Sequence, residues 1–132
     1  MDVATAPEPM SSKRATRDVE VSAVQDLLDH PPRATVAFVH GDAVDLLPVR
    51  ARCSAGQYLF GVGIPASSDL ADREVVLILD DGPYWFELRG ISVRGVASRR
   101  AAPAEAKTAG FVWYAIAPSR VLAWDYASVR EE

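Results

Sequence analysis

The chain has 132 residues, of which 49% are hydrophobic and 24% are charged, and its formal net charge is -4 at pH 7. This length and composition are typical of one globular domain that buries a core without disulfides or metal. The acidic balance argues against nucleic acid and acidic membranes as main partners. No segment approaches the roughly 20 apolar residues of a membrane span, and the start carries no secretory signal pattern. We therefore expect a cytoplasmic protein.

Cys53 is the only cysteine, so no intramolecular disulfide can form, which fits a reducing compartment. A catalytic thiol needs a histidine nearby, and His30 and His40 are the only candidates. Neither lies in a recognisable motif, and a small buried hydrophobic residue in a strand explains Cys53 more simply. The sequence also has no cluster of His, Cys and carboxylates at metal-ligand spacing, so we expect no metal site.

The first 18 residues are rich in Pro, Ser, Ala and mixed charges without periodicity, and we expect a disordered tail there. A short amphipathic helix follows at Ser22–Leu28, with Ser22 as its predicted cap. Pro31 and Pro32 end that helix. The folded domain is thus predicted to span residues 19–132.

The rest of the chain shows short β-branched and aromatic segments separated by turn residues. The predicted strands are Thr35–Val39, Val44–Cys53, Tyr58–Val62, Glu74–Asp80, Tyr84–Ser98 and Phe111–Ala117, with Val121–Tyr126 packed against the last of them. Pro48 suggests an edge position or a bulge in the second strand, and Gly90 and Gly95 mark bends in the fifth. Closely spaced strands with tight turns predict a mainly β fold, a six-stranded antiparallel barrel with short helices.

Three stretches of the sequence carry a family resemblance. They are LLDHPPRATVAFVHGDAVDLLPVR, ending at Arg50, EVVLILDDGPYWFELRGISVRGVA, over Glu74–Ala97, and IAPSRVLAWDY, ending at Tyr126. In this order and spacing they resemble the split-barrel proteins related to pyridoxamine 5'-phosphate oxidase, over residues 20–127. The resemblance implies a six-stranded split barrel that forms a homodimer, with FMN or the deazaflavin F420 in grooves at the interface.

The resemblance leaves three functions open. The first is a flavin- or deazaflavin-dependent oxidoreductase. The second is a non-enzymatic protein that carries FMN, F420 or haem, and the third is a ligand-free interaction module on the same fold. Fold alone does not decide among them.

Members of the family that hold a phosphate usually carry a Lys or Arg just after the third strand. Here that stretch reads GIPASSDLADR and has no basic residue before Arg73. The remaining anion candidates in the crossover are Ser67 and Ser68, with backbone N–H groups at a helix start, and Arg73 at its end. Without a charge-assisted contact from this stretch, we expect cofactor binding to be weak or absent.

Two further groups of side chains are candidates for cofactor contacts. Arg50 and Arg52 lie two residues apart, so they share one face of the strand that lines the cofactor groove in the resembled family. The alternative is a solvated outer face. Trp85, Glu87 and Arg89 alternate along the predicted fifth strand, where Trp85 is a stacking candidate for an isoalloxazine ring and Arg89 an anion ligand. The alternative for these is cross-strand packing and a surface ion pair.

The aromatic residues of the last strands favour packing. Phe111, Trp113 and Tyr114 are interpreted as core or dimer interface rather than a cofactor site. For the homodimer, the predicted contributors are the segments Val75–Leu79 and Phe111–Ile116, because their apolar surface would otherwise be exposed.

Overall fold

A computed structural model describes residues 18–54, 56–64, 69–82, 84, 87–104 and 110–126. Within these residues the chain is mainly β, and every strand pairing is antiparallel. The strands are β1 (Asp18–Val19), β2 (Ala34–His40), β3 (Ala43–Ser54), β4 (Gln57–Gly63), β5 (Glu74–Asp81), β6 (Arg89–Arg100) and β7 (Phe111–Asp125). A 3-10 turn over Val21–Val24 leads into the short helix α1, Gln25–Asp29.

Six of the strands close into a barrel. Their order is β7-β4-β3-β2-β5-β6, and β6 pairs back onto β7, which leaves the barrel without a free sheet edge. The short β1 adds to β7, where Asp18 pairs with Trp124. The predicted fold class, a six-stranded antiparallel split barrel with short helices, is thereby confirmed, with one short extra strand. No helix within the described ranges is long and apolar enough to cross a membrane.

Strand β3 changes its partner midway. Its first half pairs with β2, up to Val49 opposite Ala34, and its second half pairs with β4, beginning at Arg50 opposite Gly61. Pro48 lies just before the change, where β4 does not yet pair with β3 and a missing N–H group is tolerated. The edge-like environment predicted for Pro48 is therefore present, although the strand is internal to the barrel.

Alternation along each strand divides core from surface. Buried apolar side chains from all the long strands except β3, whose inward residues are partly buried, fill the barrel together with Leu27 of α1 and Leu70 of the crossover between β4 and β5. The nearly continuous apolar sequence of strand β5 predicts burial on both of its faces. Its inner face is fully buried, as at Leu77, whereas the outer residues Val76 and Ile78 are only half-buried in the single chain.

The predicted strand Tyr84–Ser98 starts too early. Tyr84 and Glu87 lie in a turn, in which the Glu87 N–H donates to the carbonyl of Tyr84, and pairing with β5 begins only at Arg89. Glu87 and Arg89 consequently do not share a strand face. The predicted segments Phe111–Ala117 and Val121–Tyr126 form the single strand β7 instead. Strand β6 pairs with both parts of it, because a bulge beside Gly95 keeps the pairing continuous.

The start of the domain also differs from prediction in one respect. Ser22 does not cap the helix, since it lies inside the 3-10 turn, which Glu20 precedes without any side-chain capping bond. Residues 1–17 of the predicted tail lie outside the described residues.

Arg89 joins α1 to the hairpin formed by β5 and β6. Its Nε donates to Asp81 Oδ1 at 2.9 Å, and its Nη2 donates to Asp26 Oδ2 at 2.6 Å. The hydrogen bond from Arg89 lowers the pKa of Asp26, and the two carboxylates raise the pKa of Arg89. The guanidinium side chain is 29% exposed, so this pairing is better shielded than a fully solvated one.

We predict that Arg89→Met lowers the melting temperature at pH 7 by on the order of 4 °C, corresponding to about 1 kcal/mol for a domain of this size. A carboxylate with a lowered folded-state pKa stabilises the fold above its unfolded pKa and loses that effect as pH falls through the folded pKa. The difference between the two proteins should therefore shrink below about pH 4.

Thermal melts at pH values from 7 down to 3 measure this difference. Arg33→Met is the matched control. In the described ranges Arg33 pairs with one carboxylate, that of Asp80, and it is more exposed than Arg89, so its loss should shift the melting temperature less. A difference between Arg89→Met and the native protein that stayed constant down to pH 3 would show that the carboxylates are not its source.

Candidate functional site

The outer face of three neighbouring strands holds the strongest candidate site. Register pairs place β3, β4 and β7 side by side, with Arg50 opposite Gly61, Gly61 opposite Trp113, and Gly63 opposite Phe111. We call this surface the Arg50 platform. Its members are Arg50, Arg52, Gly61, Gly63, Phe111 and Trp113.

Two glycines make the middle strand of the platform flat. A Cβ atom at Gly61 would lie 2.7 Å from Cε2 of Trp113, so the indole rests directly on the β4 backbone. Trp113 is only 4% exposed although it lies on the outer face, and it is not part of the barrel core. A Cβ at Gly63 would meet nothing within 4 Å, so none of the described side chains fills the space directly over this glycine, beside Phe111.

Arg50 lies exposed across the platform from β7. Its guanidinium carbon lies 5.2 Å from the centroid of the Phe111 ring, a cation–π arrangement, and the rings of Phe111 and Trp113 are 6.5 Å apart. In the described part of the chain no carboxylate pairs with Arg50. Arg52 follows on the same face and is half-buried, opposite Leu59 of β4. The structure thus brings these two predicted residues together.

The indole nitrogen of Trp113 lacks a hydrogen-bond partner. Its Nε1 atom is buried, and it is the one buried side-chain donor or acceptor among the described residues without a partner. An unsatisfied buried donor costs about 1–3 kcal/mol relative to a satisfied one, and such groups are rare in folded proteins. This donor therefore calls for an explanation that the barrel alone does not supply.

The other predicted cofactor residues lie elsewhere or outside the described residues. Arg73 donates from Nη1 to the carbonyl of Val39 at 3.3 Å. Val39 pairs with Val44, six residues before Arg50 on β3 or about 20 Å along the strand. The described hydrogen bonds of Arg89 go to Asp26 and Asp81. Ser67, Ser68 and Trp85 lie outside the described residues.

Groups that perform acid–base or nucleophilic chemistry are absent from the platform. Cys53 faces inward among residues that pack on the core, and burial raises the pKa of its thiol to about 11, so it is protonated at neutral pH. Burial also raises the pKa of Tyr114, whose hydroxyl donates to Asp69 and accepts from the Leu70 N–H within the crossover. The described residues contain no group of three or more potential metal ligands.

The sequence predicts Phe111 and Trp113 as core or interface, and the structure places both on the outer face, within the platform. Their spacing of two residues places them on one strand face, opposite the face of Tyr114. Gly61 and Gly63 have the same spacing on β4. The equal spacing of the aromatic pair and the glycine pair can be recognised in the sequence. That the two pairs lie opposite each other depends on the register between β4 and β7, which the structure provides.

An exposed apolar surface continues from the platform along β3. Val44 and Leu46 are 68% and 62% exposed, and they share the outer face with Pro48, Arg50 and Arg52 by alternation. Beside them, a shallow groove of about 340 Å³ runs between β2, β3 and β5, with Arg94 of β6 at its side. Contiguous apolar surface of this kind on a small protein typically marks an interface.

The platform combines a flat backbone floor, an aromatic wall, two arginines and an unused N–H donor. Guanidinium groups bind phosphate and carboxylate, and aromatic rings stack on planar ligands. The unpaired donor and the open surface over Gly63 fit a planar ligand that has ring acceptors and an anionic substituent. An FMN-type group has these features.

No family model matches the sequence, and no curated protein matches it either. Solved structures do match in fold. An FAD-binding protein from Mycobacterium smegmatis has a TM-score of 0.66 at 16% identity, covering 81% of this chain and 97% of its own. A protein assigned as pyridoxamine 5'-phosphate oxidase from Corynebacterium glutamicum has a TM-score of 0.62 at 14% identity, and the match covers 83% of this chain and 96% of its own. An FAD-binding protein from Mesorhizobium loti has a TM-score of 0.62 at 11% identity, and the match covers 83% of this chain and 96% of its own.

These similarities span nearly the whole of each matched structure. The chain has the split-barrel fold of the flavin-binding proteins related to pyridoxamine 5'-phosphate oxidase.

Proposed function

We propose that this protein binds a phosphorylated flavin-type cofactor on the Arg50 platform and acts as an oxidoreductase through it. The observation that carries the proposal is the platform itself, in which Arg50 has no described carboxylate partner and Trp113 has an unpaired donor. Two similar structures are named as FAD-binding proteins, which supports a flavin-type ligand. FMN and F420 remain the specific candidates implied by the sequence resemblance.

The platform residues would divide the binding between them. Arg50 and Arg52 would hold the anionic group, and Phe111 would face the planar ring across the open strip beside Gly63. When bound, the cofactor supplies the hydride or electron transfer, and the protein supplies position and electrostatics. This division explains why the platform contains no acid, base or nucleophile.

The affinity should be modest. Between Gly63 and Asp72 the crossover has no Lys or Arg, and Arg73 is directed to Val39 rather than to the platform. Hydrogen bonds to a charged group contribute about 1.5–3 kcal/mol each, and about 1.4 kcal/mol is tenfold in affinity. One missing contact would thus weaken binding by roughly tenfold to a hundredfold, and the protein would lose cofactor on purification.

A non-enzymatic cofactor carrier is the second candidate. It is favoured by the same absence of titratable groups on the platform, since the members of that surface are arginine, glycine, phenylalanine and tryptophan. The two candidates share the ligand and differ in whether bound cofactor reacts with a second substrate.

The proposal includes a homodimer. The exposed pair Val44 and Leu46 adjoins the arginines on β3, so a partner packed there would form one wall of a groove over the platform. Of the predicted contributors, the outer residues Val76 and Ile78 of β5 would take part, while Val75, Leu77 and Leu79 are buried in the core.

We predict that the purified protein quenches the fluorescence of FMN or F420 on titration, with a micromolar Kd. Replacing Arg50 and Arg52 together by Ala should raise that Kd by at least about a hundredfold, because two charge-assisted contacts are lost. The melting temperature of the single variant Arg50→Ala should fall by no more than about 4 °C, since the cation–π contact on Phe111 is worth about 1 kcal/mol.

Arg33→Ala with Arg120→Ala is the matched control. Both arginines are exposed and lie outside the platform, and their removal changes the net charge equally. The control variant should bind as the native protein does. If the native protein binds neither cofactor at about 1 mM, where the binding free energy is about 4 kcal/mol, the proposed function is wrong.

We predict a dimer in solution with twice the 14.3 kDa chain mass. Val44→Glu with Leu46→Glu should convert it to a monomer at micromolar concentration, because each dimer would bury charges from both chains. Light scattering coupled to size exclusion measures both masses, and Val39→Glu tests the neighbouring edge of the same apolar surface. A native mass equal to one chain would contradict the dimer.

The oxidoreductase and carrier candidates separate in a turnover measurement. For an oxidoreductase, we predict that reduced cofactor is reoxidised by a suitable acceptor faster in the presence of the protein, and that Arg50→Ala removes the acceleration. Stopped-flow absorbance with and without protein gives the two rates. Equal or slower reoxidation with every acceptor tested would favour the carrier.

A further inference from the structure

The unpaired indole of Trp113 has a specific geometry. Its side chain reaches from β7 across β4, so that Cε2, the carbon bonded to Nε1, lies over the Gly61 Cα. Gly61 pairs with Arg50 on the next strand, and the indole therefore lies between β7 and the platform arginines. The donor belongs to the platform by position, not to the core.

Trp124 provides a comparison within the same strand. It also lies across a glycine of a neighbouring strand, since a Cβ at Gly90 would clash with its Cζ2 atom. Both indole rings thus pack against the backbone of a glycine in a neighbouring strand. The nitrogen of Trp113 is a buried donor without a partner, whereas that of Trp124 is not among such atoms. Packing on a glycine does not by itself create the unpaired donor.

We infer that the indole N–H of Trp113 is a hydrogen-bond donor to a ring acceptor of the bound flavin-type ligand. The inference rests on the proposed function and assigns to Trp113 a role in selecting the ligand. A ring carbonyl or an unprotonated ring nitrogen satisfies the donor, whereas a ligand with only an apolar ring leaves it unpaired. A site with a buried donor discriminates strongly against ligands that lack the matching acceptor, because the donor then stays unpaired. The Trp113 donor therefore favours heteroaromatic ligands over apolar rings.

Arg50 connects this donor to the anion contact. In the described part of the chain its guanidinium rests on Phe111 and on no carboxylate, so its displacement breaks no ion pair. Binding of an anionic group by Arg50 moves the side chain off the aromatic wall, and the ring then enters beside Phe111 and Trp113. The anion and the ring acceptor are recognised together on one surface.

The decisive variant replaces the donor and keeps the shape. In Trp113→3-benzothienylalanine, introduced at an amber codon, a sulfur atom takes the place of the indole N–H. We expect the Kd for FMN or F420 to rise on the order of tenfold, which corresponds to about 1.4 kcal/mol. The melting temperature of the ligand-free protein should stay equal or rise, because an unsatisfied donor is removed.

Trp124→3-benzothienylalanine is the matched control and should leave the Kd unchanged. A second readout follows the indole directly: the 1H–15N cross-peak of Trp113, assigned by its loss in Trp113→Phe, should shift downfield on titration with the cofactor. The Trp124 cross-peak should move less. Both measurements use the full chain.

Three outcomes would overturn the inference. The Trp113→3-benzothienylalanine variant could bind as tightly as the native protein, or the Trp113 cross-peak could stay in place at saturation. A lower melting temperature of the ligand-free variant would show that the indole already donates within the protein. If the native protein itself binds no flavin or deazaflavin, the proposed function fails first, and that result is distinct from all three.

Discussion

The platform depends on the absence of side chains at two positions of β4. In a barrel, the outer side chains of adjacent strands normally stand side by side and keep strands two apart from contacting each other. At Gly61 and Gly63 this separation disappears, so the indole of Trp113 lies on the backbone and Arg50 of β3 reaches Phe111 of β7. A single larger residue at Gly61 would lift the indole and divide the surface into two unrelated halves.

The change of partner in β3 determines where this surface meets the rest of the molecule. The half of β3 paired with β2 carries Val44 and Leu46 outward, and the half paired with β4 carries Arg50 and Arg52 outward. Apolar and basic groups are therefore consecutive on one strand face, with Pro48 at the junction. A partner chain on the apolar half would exclude water next to the arginines, and electrostatic contacts strengthen where water is excluded.

Strand pattern, turn residues and the barrel were predictable from the sequence because they depend on local alternation and on glycine and proline. The prediction failed where contacts between residues distant in sequence determine the structure. The segment before Arg89 has strand-like composition, yet Arg89 is held by Asp26, which lies 63 positions earlier, and the strand begins only there. The shared face of Arg50 and Arg52 followed from their spacing. The placement of Trp113 over Gly61 did not, because it requires the register between β4 and β7.

Arg89 and Arg50 differ in how far the described residues already satisfy their charge. Arg89 is surrounded by two carboxylates that neutralise it and lock α1 to the barrel, so its charge is already used by the fold. Within the described ranges, the guanidinium of Arg50 contacts only the face of Phe111, an interaction worth about 0.5–1 kcal/mol at an exposed site. The fold loses little when Arg50 leaves that ring, and an anion gains a charge-assisted partner. Among the described residues, Arg50 without a carboxylate partner lies next to the unpaired indole donor of Trp113, and this pairing of unused donors on one surface is what the proposed ligand would satisfy.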